Sequence, residues 1–247
     1  MRRFYRDFHS QRLQTFIVRY RETDLWIGVD RYDPHMPEAV LGLVQDLYRQ
    51  LLEVAKICPE FFSSLEPVEP FDGPKIAMKM VEAAKLAGVG PTAAVAGAFA
   101  DEVGEFLSKN FGCEEVIVEN GGDIFIKCNG GIVSAVYAGD SPLSGRVGLK
   151  IPEGSWGVCT SSGRFGHSLS FGNADAVTVI SRNATIADAF ATAYCNKVKK
   201  KEDVENLLQR AINEHVLGVL VIFEDKLGVK GQFEIVLLEG DSDEAGR

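Results

Sequence analysis

Two residues of one predicted helix have the types and the spacing of a small cation site. Asp188 and Thr192 lie four positions apart in the run NATIADAFATAY, so both side chains share one helix face. Carboxylate and hydroxyl oxygens suit Mg²⁺, which usually takes few protein ligands and completes its shell with substrate phosphates and water. Thr185 and Asp188 also match a capping box, in which Asp188 would only serve the start of the helix. Spacing alone favours the cap.

A turn rich in hydroxyl groups follows a predicted strand upstream of that helix. It consists of Thr160, Ser161, Ser162, Gly163 and Arg164. Hydroxyls, a guanidinium and successive backbone N–H groups can together hold a phosphate. His167, three residues beyond, could act as a general acid or base, or donate to a phosphate. The alternative is a solvated loop that contains an ordinary histidine.

A second polar turn joins two predicted strands. It reads Asn120, Gly121, Gly122 and Asp123. The glycines allow positive φ and a close backbone approach to a ligand, and the flanking side chains offer polar groups. A plain hairpin turn is the simpler interpretation, because Asn-Gly is a strong turn signal.

Hydrophobic periodicity predicts the elements that position these residues. Helices are expected over residues 37–57, 76–87, 92–109, 185–199 and 202–213. Strands are expected over residues 14–21, 25–30, 115–119, 123–128, 132–138, 145–151, 156–160, 176–181, 216–224 and 229–238. A turn at Thr23 and Asp24 is expected to join the first two strands into a hairpin, and the last two strands are expected to form a closing hairpin.

The order of the elements predicts an α+β fold with mostly antiparallel sheets and segregated helix pairs. Each half has strands, then two helices, then strands, which suggests an internal duplication of a ββαα-type unit, although no residue-level repeat accompanies it. The length of 247 residues fits a single domain over residues 1–240, with one core or two intimate halves. Residues 241–247 are expected to form a frayed tail.

The composition of the chain limits the kinds of molecule that the protein is expected to bind. A net charge of −9 disfavours nucleic acid and anionic lipid, and leaves room for a small anionic ligand at a local site. Neither a membrane span nor a signal peptide is recognisable. The five cysteines are odd in number and include no CxxC, as expected for reduced thiols in the cytoplasm. No common phosphate-binding loop motif follows a strand. Self-association stays open.

Taken in order, the motifs resemble the ApbE superfamily of flavin transferases, and in particular its short cytosolic branch, UPF0280. ENGGDIFI at 119–126 is similar to the family's N-x-G-G-D turn, and CTSSGRFGH at 159–167 to its T-S-G turn. DAVTVISRNATIADAFATAY at 175–194 matches the specific signature V-T-V…A-D-A-x-A-T-A. AAVAGAFAD at 93–101 stands where the family has G-I-A-K-G-Y-A.

The resemblance implies roles for matching residues. It makes Asp188 and Thr192 ligands of Mg²⁺, together with the backbone carbonyl of Ala96. It makes the two turns the lining of a site for FAD or another flavin dinucleotide, through Asn120, Gly121, Gly122, Asp123, Ser162 and Gly163. His167 corresponds to the family histidine.

Two departures separate this chain from the family pattern. Gly97 stands at a lysine position, and Ser170 at an aspartate position. Two functions therefore stay open. One is a Mg²⁺-dependent flavin- or dinucleotide-binding protein that transfers FMN or cleaves the FAD pyrophosphate. The other is a catalytically degenerate module that binds a flavin or another anion as a carrier or sensor.

Overall fold

Two antiparallel sheets and five α-helices make up residues 13–164 and 170–238, which are the residues that the computed structural model describes. Residues 1–12, the predicted tail at 241–247 and His167 lie outside the described residues. The antiparallel sheets and the helices confirm the predicted α+β class.

The elements follow the predicted periodicity closely. The helices are α1 (Met36–Ile57), α2 (Lys75–Ala87), α3 (Val95–Asn110), α4 (Ala184–Lys197) and α5 (Asp203–Arg210). The strands are β1 (Gln14–Tyr20), β2 (Thr23–Val29), β3 (Val116–Asn120), β4 (Asp123–Cys128), β5 (Ile132–Val136), β6 (Val147–Ile151), β7 (Gly154–Ser161), β8 (Ala176–Ser181), β9 (Gly218–Phe223), β10 (Lys226–Gly231) and β11 (Glu234–Leu237).

The larger sheet has eight strands in the order β1-β2-β3-β4-β7-β8-β9-β10, and the smaller has the order β11-β6-β5. In each half of the large sheet the helices come between the second and third strands: α1 to α3 between β2 and β3, and α4 and α5 between β8 and β9. This repeated order accords with a duplication. Because no sequence repeat accompanies it, the duplication stays a prediction.

Alternation along the strands divides the interior into two hydrophobic layers. On β8, Val177 and Val179 pack in the cluster that also contains the helices, whereas Ala176 and Ile180 pack in the cluster between the two sheets. Helix α4 lies between the large sheet and the other helices, and eleven of its fourteen residues are buried. The large sheet is therefore covered on both faces, and α4 is the central helix.

The structure corrects one expected turn and one expected strand. The first hairpin turns at Arg21, whose φ is +52°, and Glu22, because Tyr20 already pairs with Thr23. The predicted last strand, at 229–238, is two strands. β10 ends at Gly231 (φ +126°), after which the chain crosses to the small sheet as β11.

Packing explains the break between β10 and β11. A Cβ at Gly231 would lie 2.5 Å from the carbonyl oxygen of Leu217, so only glycine permits this close crossing. Phe233 then packs edge-on against Trp156, with ring centroids 5.5 Å apart. Packing this half-buried aromatic ring against Trp156 favours the crossing over a longer hairpin.

No single helix within the described ranges is long and apolar enough to cross a membrane. One bent pair, Lys75–Ala87 with Pro91–Asn110 at 103°, meets the length and composition criteria when its two members are combined.

Candidate functional site

Helices α3 and α4 touch at Gly97, and this contact positions Asp188. The backbone N–H of Gly97 donates a 2.9 Å hydrogen bond to Oδ2 of Asp188. A Cβ at Gly97 would lie 2.2 Å from the carbonyl oxygen of Ala184 and 2.9 Å from Cβ of Asp188. The two backbones are too close for any side chain, so the lysine of the family pattern has no room here.

The start of α4 is capped by residues other than Asp188. The Asn183 side chain accepts a 2.8 Å hydrogen bond from the N–H of Ile186. Asp101, on α3, accepts hydrogen bonds from the N–H groups of Ala184 and Thr185 at 2.8 Å, and from the Thr185 hydroxyl at 2.6 Å. The capping-box interpretation of Asp188 is therefore wrong. Asp188 is the fifth residue of the helix and faces α3 instead.

Asp101 was not singled out in the sequence. It closes the alanine-rich run at 93–101 and is almost fully buried. Desolvation raises the pKa of its carboxyl group, and its three hydrogen bonds from Ala184 and Thr185 oppose that rise. An acid in an otherwise apolar helical run was the available signal, since buried acids need partners.

The turn between β3 and β4 points two polar side chains at the helices. Asn120 pairs with Asp123 across a two-residue turn, in which Gly121 and Gly122 have φ of +70° and +108°. The hairpin interpretation of this motif is confirmed. Nδ2 of Asn120 donates a 3.2 Å hydrogen bond to the carbonyl oxygen of Ala96, so this turn and the alanine-rich helix meet.

Asp123 is a buried acid with an unsatisfied oxygen. It pairs with Cys159 across β4 and β7, and its Oδ1 has no hydrogen-bond partner among the described residues. Desolvation, with a smaller contribution from Glu119, raises its pKa to about 7. A hydrogen bond with Cys159 and another with the backbone of Thr160 oppose the rise.

Asp188 and Asp123 influence each other's ionisation. Desolvation and then the charge of Asp123 raise the pKa of Asp188 well above its ordinary value, against hydrogen bonds from the backbone of Gly97 and Ala96. Among the described residues, no basic side chain is one of the main groups that shift the pKa of either carboxyl group. Two buried carboxyl groups whose charges repel each other resist being ionised together unless a cation compensates them.

The residues around this pair fit a Mg²⁺ ion. Among the described residues, Asp123 supplies a buried oxygen without a hydrogen-bond partner, and Ala96, which directly precedes Gly97, supplies a backbone carbonyl. Thr192 is buried one turn after Asp188 on the same helix face. Within residues 13–164 and 170–238, no group of three His, Cys, Asp or Glu side chains is arranged to hold a metal. A cation here would therefore use backbone and hydroxyl oxygens as well.

Alternation along β7 divides the hydroxyl-rich turn between two faces of the sheet. Ser161 lies on the same face as Cys159, and its buried hydroxyl faces the thiol of Cys195, where a hydrogen bond between the two groups opposes the rise that burial causes in the pKa of that thiol. Thr160 lies on the opposite face, where its hydroxyl forms a 2.8 Å hydrogen bond with that of Thr178. Ser161 is therefore on the side of Asp188, and Thr160 is not.

The rest of this turn bonds to the protein itself. The N–H of Gly163 donates to the carbonyl of Ala174 at 3.0 Å, and Oγ of Ser162 accepts from the N–H of Arg164 at 3.2 Å. The guanidinium of Arg164 lies 3.3 Å from Asp175 and 3.5 Å from Glu224. Two carboxylates thus already neutralise the expected phosphate-binding side chain.

Ser170, at the aspartate position of the family, also has a structural partner. Its hydroxyl donates a 3.2 Å hydrogen bond to Oδ1 of Asn196, near the end of α4, and the N–H of Phe171 donates to the same oxygen at 2.7 Å. These bonds fasten the segment that follows residues 165–169 to α4.

Comparison with known proteins agrees with this architecture. A family model described as AbpE bacteria matches residues 6–216. A UPF0280 protein of Methanocaldococcus jannaschii is 39% identical over 223 residues, covering 86% of this chain and 88% of the relative. One of Methanopyrus kandleri is 43% identical over 237 residues, covering 90% and 93%. The chain belongs to the ApbE-like UPF0280 family.

Solved structures of ApbE proteins share the fold of this UPF0280 chain. The ApbE protein of Thermotoga maritima has a TM-score of 0.55 at 16% identity, covering 87% of this chain and 96% of that one. The flavin transferase ApbE of Vibrio cholerae has a TM-score of 0.54 at 13% identity, covering 88% and 96%. At such identities the likeness establishes the fold, and the resemblance to ApbE proteins noted in the sequence is confirmed.

Proposed function

We propose that this protein binds a flavin dinucleotide of the FAD type together with Mg²⁺, and that it acts on the pyrophosphate of that ligand. The observation that carries the proposal is the buried Asp188 carboxyl group, held by the N–H of Gly97 and coupled to a second buried acid, Asp123. Burying two acids without a basic partner costs free energy. A bound cation would recover that cost.

Two of the proposed ligands are held by hydrogen bonds to the protein. Gly97 orients the Asp188 carboxylate, and Asn120 holds the carbonyl of Ala96. Thr192 is one turn farther along α4. Bound here, Mg²⁺ would neutralise charge on the pyrophosphate of the dinucleotide.

The chain's own residues would then position the ligand. Gly121 and Gly122 have no side chains at the β3–β4 turn, so the ligand could approach the backbone closely. Ser161 would offer its hydroxyl on the same face of the sheet. A proton transfer by His167 stays a prediction, since that residue lies outside the described ranges.

Two outcomes of binding are distinguishable. Attack by water on the pyrophosphate yields FMN and AMP, whereas attack by an acceptor hydroxyl yields an FMN ester and AMP. The second candidate function is binding without turnover, as a carrier or sensor. Ser170 favours it, because its hydroxyl is engaged by Asn196 and no carboxylate stands at that position.

The test combines thermal stability with product analysis. Melting temperature is measured with MgCl₂ alone, FAD alone and both together, for wild type, Asp188→Asn and the exposed control Asp140→Asn. Ligand at about 100 times its Kd stabilises a protein by about 2.7 kcal/mol. We expect a rise of several degrees with both ligands in wild type and the control, and a much smaller one in Asp188→Asn.

Product analysis separates the alternatives. Release of FMN and AMP that stops on addition of EDTA supports hydrolysis, and a mass increase of an acceptor protein supports transfer. Stabilisation without either product supports the carrier or sensor. No stabilisation by FAD with Mg²⁺ in wild type would refute the proposal.

A further inference from the structure

A second carboxyl group, that of Asp123, lies on the face of the large sheet that α4 covers, and one of its oxygens has no hydrogen-bond partner among the described residues. Asp123 is the first residue of β4 and lies opposite Cys159 on β7. Asp123 is 9% exposed, and its Oδ1 is buried without a hydrogen-bond partner among the described residues. An unsatisfied, buried carboxylate oxygen is costly enough to require a ligand or a proton.

The sheet and the helix bring Asp123 and Asp188 to the same layer of the protein. Asp123 and Cys159 share the face of the large sheet that α4 covers, and the thiol of Cys159 lies 3.3 Å from the carbonyl of Ala184. Asp188 is one turn farther along α4, and its hydrogen bond to Gly97 places it between α3 and the sheet. The two acids therefore converge from different elements.

We infer that Asp123 is a second carboxylate ligand of the cation at Asp188, and not a contact to the flavin. This inference rests on the proposed function and specifies the composition of its metal site. Two carboxylates match the charge of a divalent cation, whereas Asp188 alone would leave one positive charge uncompensated until the nucleotide arrives. The cation should therefore bind before any nucleotide is present.

The alternative roles for Asp123 fit less well. A carboxylate would repel the phosphates of a dinucleotide unless a cation stood between them. A purely structural role would use Oδ1 in a hydrogen bond, as Glu119 does on the opposite face of the sheet by accepting from the N–H of Gly122 at 2.8 Å. Glu119 thus provides a matched acid in the same hairpin.

The experiment titrates nucleotide-free protein with Mn²⁺, which prefers the same oxygen ligands as Mg²⁺ and gives an EPR signal for the free ion. Wild type is compared with Asp123→Asn, Asp188→Asn and the control Glu119→Gln. The melting temperature of each variant without metal verifies that it folds. If the Asp123→Asn variant does not fold, Asp123→Ser replaces it. We expect Asp123→Asn and Asp188→Asn to bind Mn²⁺ about 10–100-fold more weakly, and Glu119→Gln to bind it as wild type does.

Each outcome separates the inference from the proposed function. If Asp188→Asn weakened Mn²⁺ binding and Asp123→Asn bound Mn²⁺ as wild type does, the inference would be overturned and the proposed cation site at Asp188 would stand. If Glu119→Gln weakened Mn²⁺ binding as much as Asp123→Asn does, the inference would also be overturned, since that result indicates a long-range effect of charge. Absence of Mn²⁺ binding in wild type would overturn the inference, and the proposed function would then be decided by the FAD measurements alone.

Discussion

The backbone N–H of Gly97 donates a 2.9 Å hydrogen bond to the carboxylate of Asp188, across 91 positions of sequence. This bond depends on the absence of a side chain at Gly97. The glycine that departs from the family pattern is therefore the residue that lets α3 and α4 approach and orients the central acid of the candidate site.

Replacing Gly97 by alanine should destabilise the protein. The added Cβ would lie 2.2 Å from the backbone carbonyl oxygen of Ala184, which cannot move without shifting α4. Overpacking of this kind costs about 1–3 kcal/mol, and contact with backbone puts Gly97→Ala at the upper end. Urea unfolding measures the change.

The matched control for that substitution is Gly42→Ala. Gly42 lies in α1, and a Cβ there would meet nothing within 4 Å. Alanine is the better helix former, so this variant should gain about 0.5–1 kcal/mol. A Gly97→Ala variant as stable as Gly42→Ala would contradict the close approach of the two helices.

Removing the Asp101 carboxylate should loosen the start of α4. Asp101→Asn keeps one acceptor oxygen and replaces the other by an NH₂ group that faces N–H donors of Ala184 or Thr185. An unsatisfied buried donor costs about 1–3 kcal/mol, and the free energy of urea unfolding should fall by that amount. The comparison is Asn183→Ala, which removes the ordinary N-cap and should cost about 1 kcal/mol. If the free energy of unfolding of Asp101→Asn equalled that of wild type, Asn183 alone would be responsible for capping α4.

Without metal, the protein should lose stability as pH rises toward neutrality. Asp123 has its pKa raised to about 7 from 3.8, so the folded state holds a proton that the unfolded state releases. Between these two pKa values stability therefore falls with increasing pH, and above about 7 this contribution is constant. Each pKa unit corresponds to about 1.4 kcal/mol.

The measurement is urea unfolding with EDTA at about pH 5 and about pH 8. Because other acids titrate as well, the decisive quantity is the difference between wild type and Asp123→Asn. We expect wild type to lose more stability across this interval than the variant. Parallel profiles would show that Asp123 is ionised throughout.

Arg164 is expected to matter more for stability than for ligand binding. Its guanidinium pairs with Asp175, whose side chain is 3% exposed, and Arg164→Gln would leave that acid with fewer partners. The loss should be about 1–3 kcal/mol. Glu224→Gln, which alters the exposed partner, should cost less than about 1 kcal/mol. If Arg164→Gln instead abolished stabilisation by FAD with Mg²⁺ while preserving the melting temperature, the phosphate-binding role predicted from sequence would be correct.

The sequence by itself determined the fold class and most of the elements. The short apolar runs of β4 and β8 give strands at the predicted residues, and the regular apolar spacing of α1 gives a helix one residue longer than expected. The motif at 175–194 also revealed the family. These features depend on neighbours along the chain, which a sequence displays directly.

Tertiary structure decided which candidate residues meet. Spacing alone favoured Asp188 as a cap, and only the approach of α3 shows that Asp101 and Asn183 cap the helix instead. Sequence order likewise grouped Thr160 with Ser161, whereas the pleat of β7 sends their hydroxyls to opposite faces. Contacts between residues far apart in the chain leave no local pattern, because they depend on how helices and strands pack.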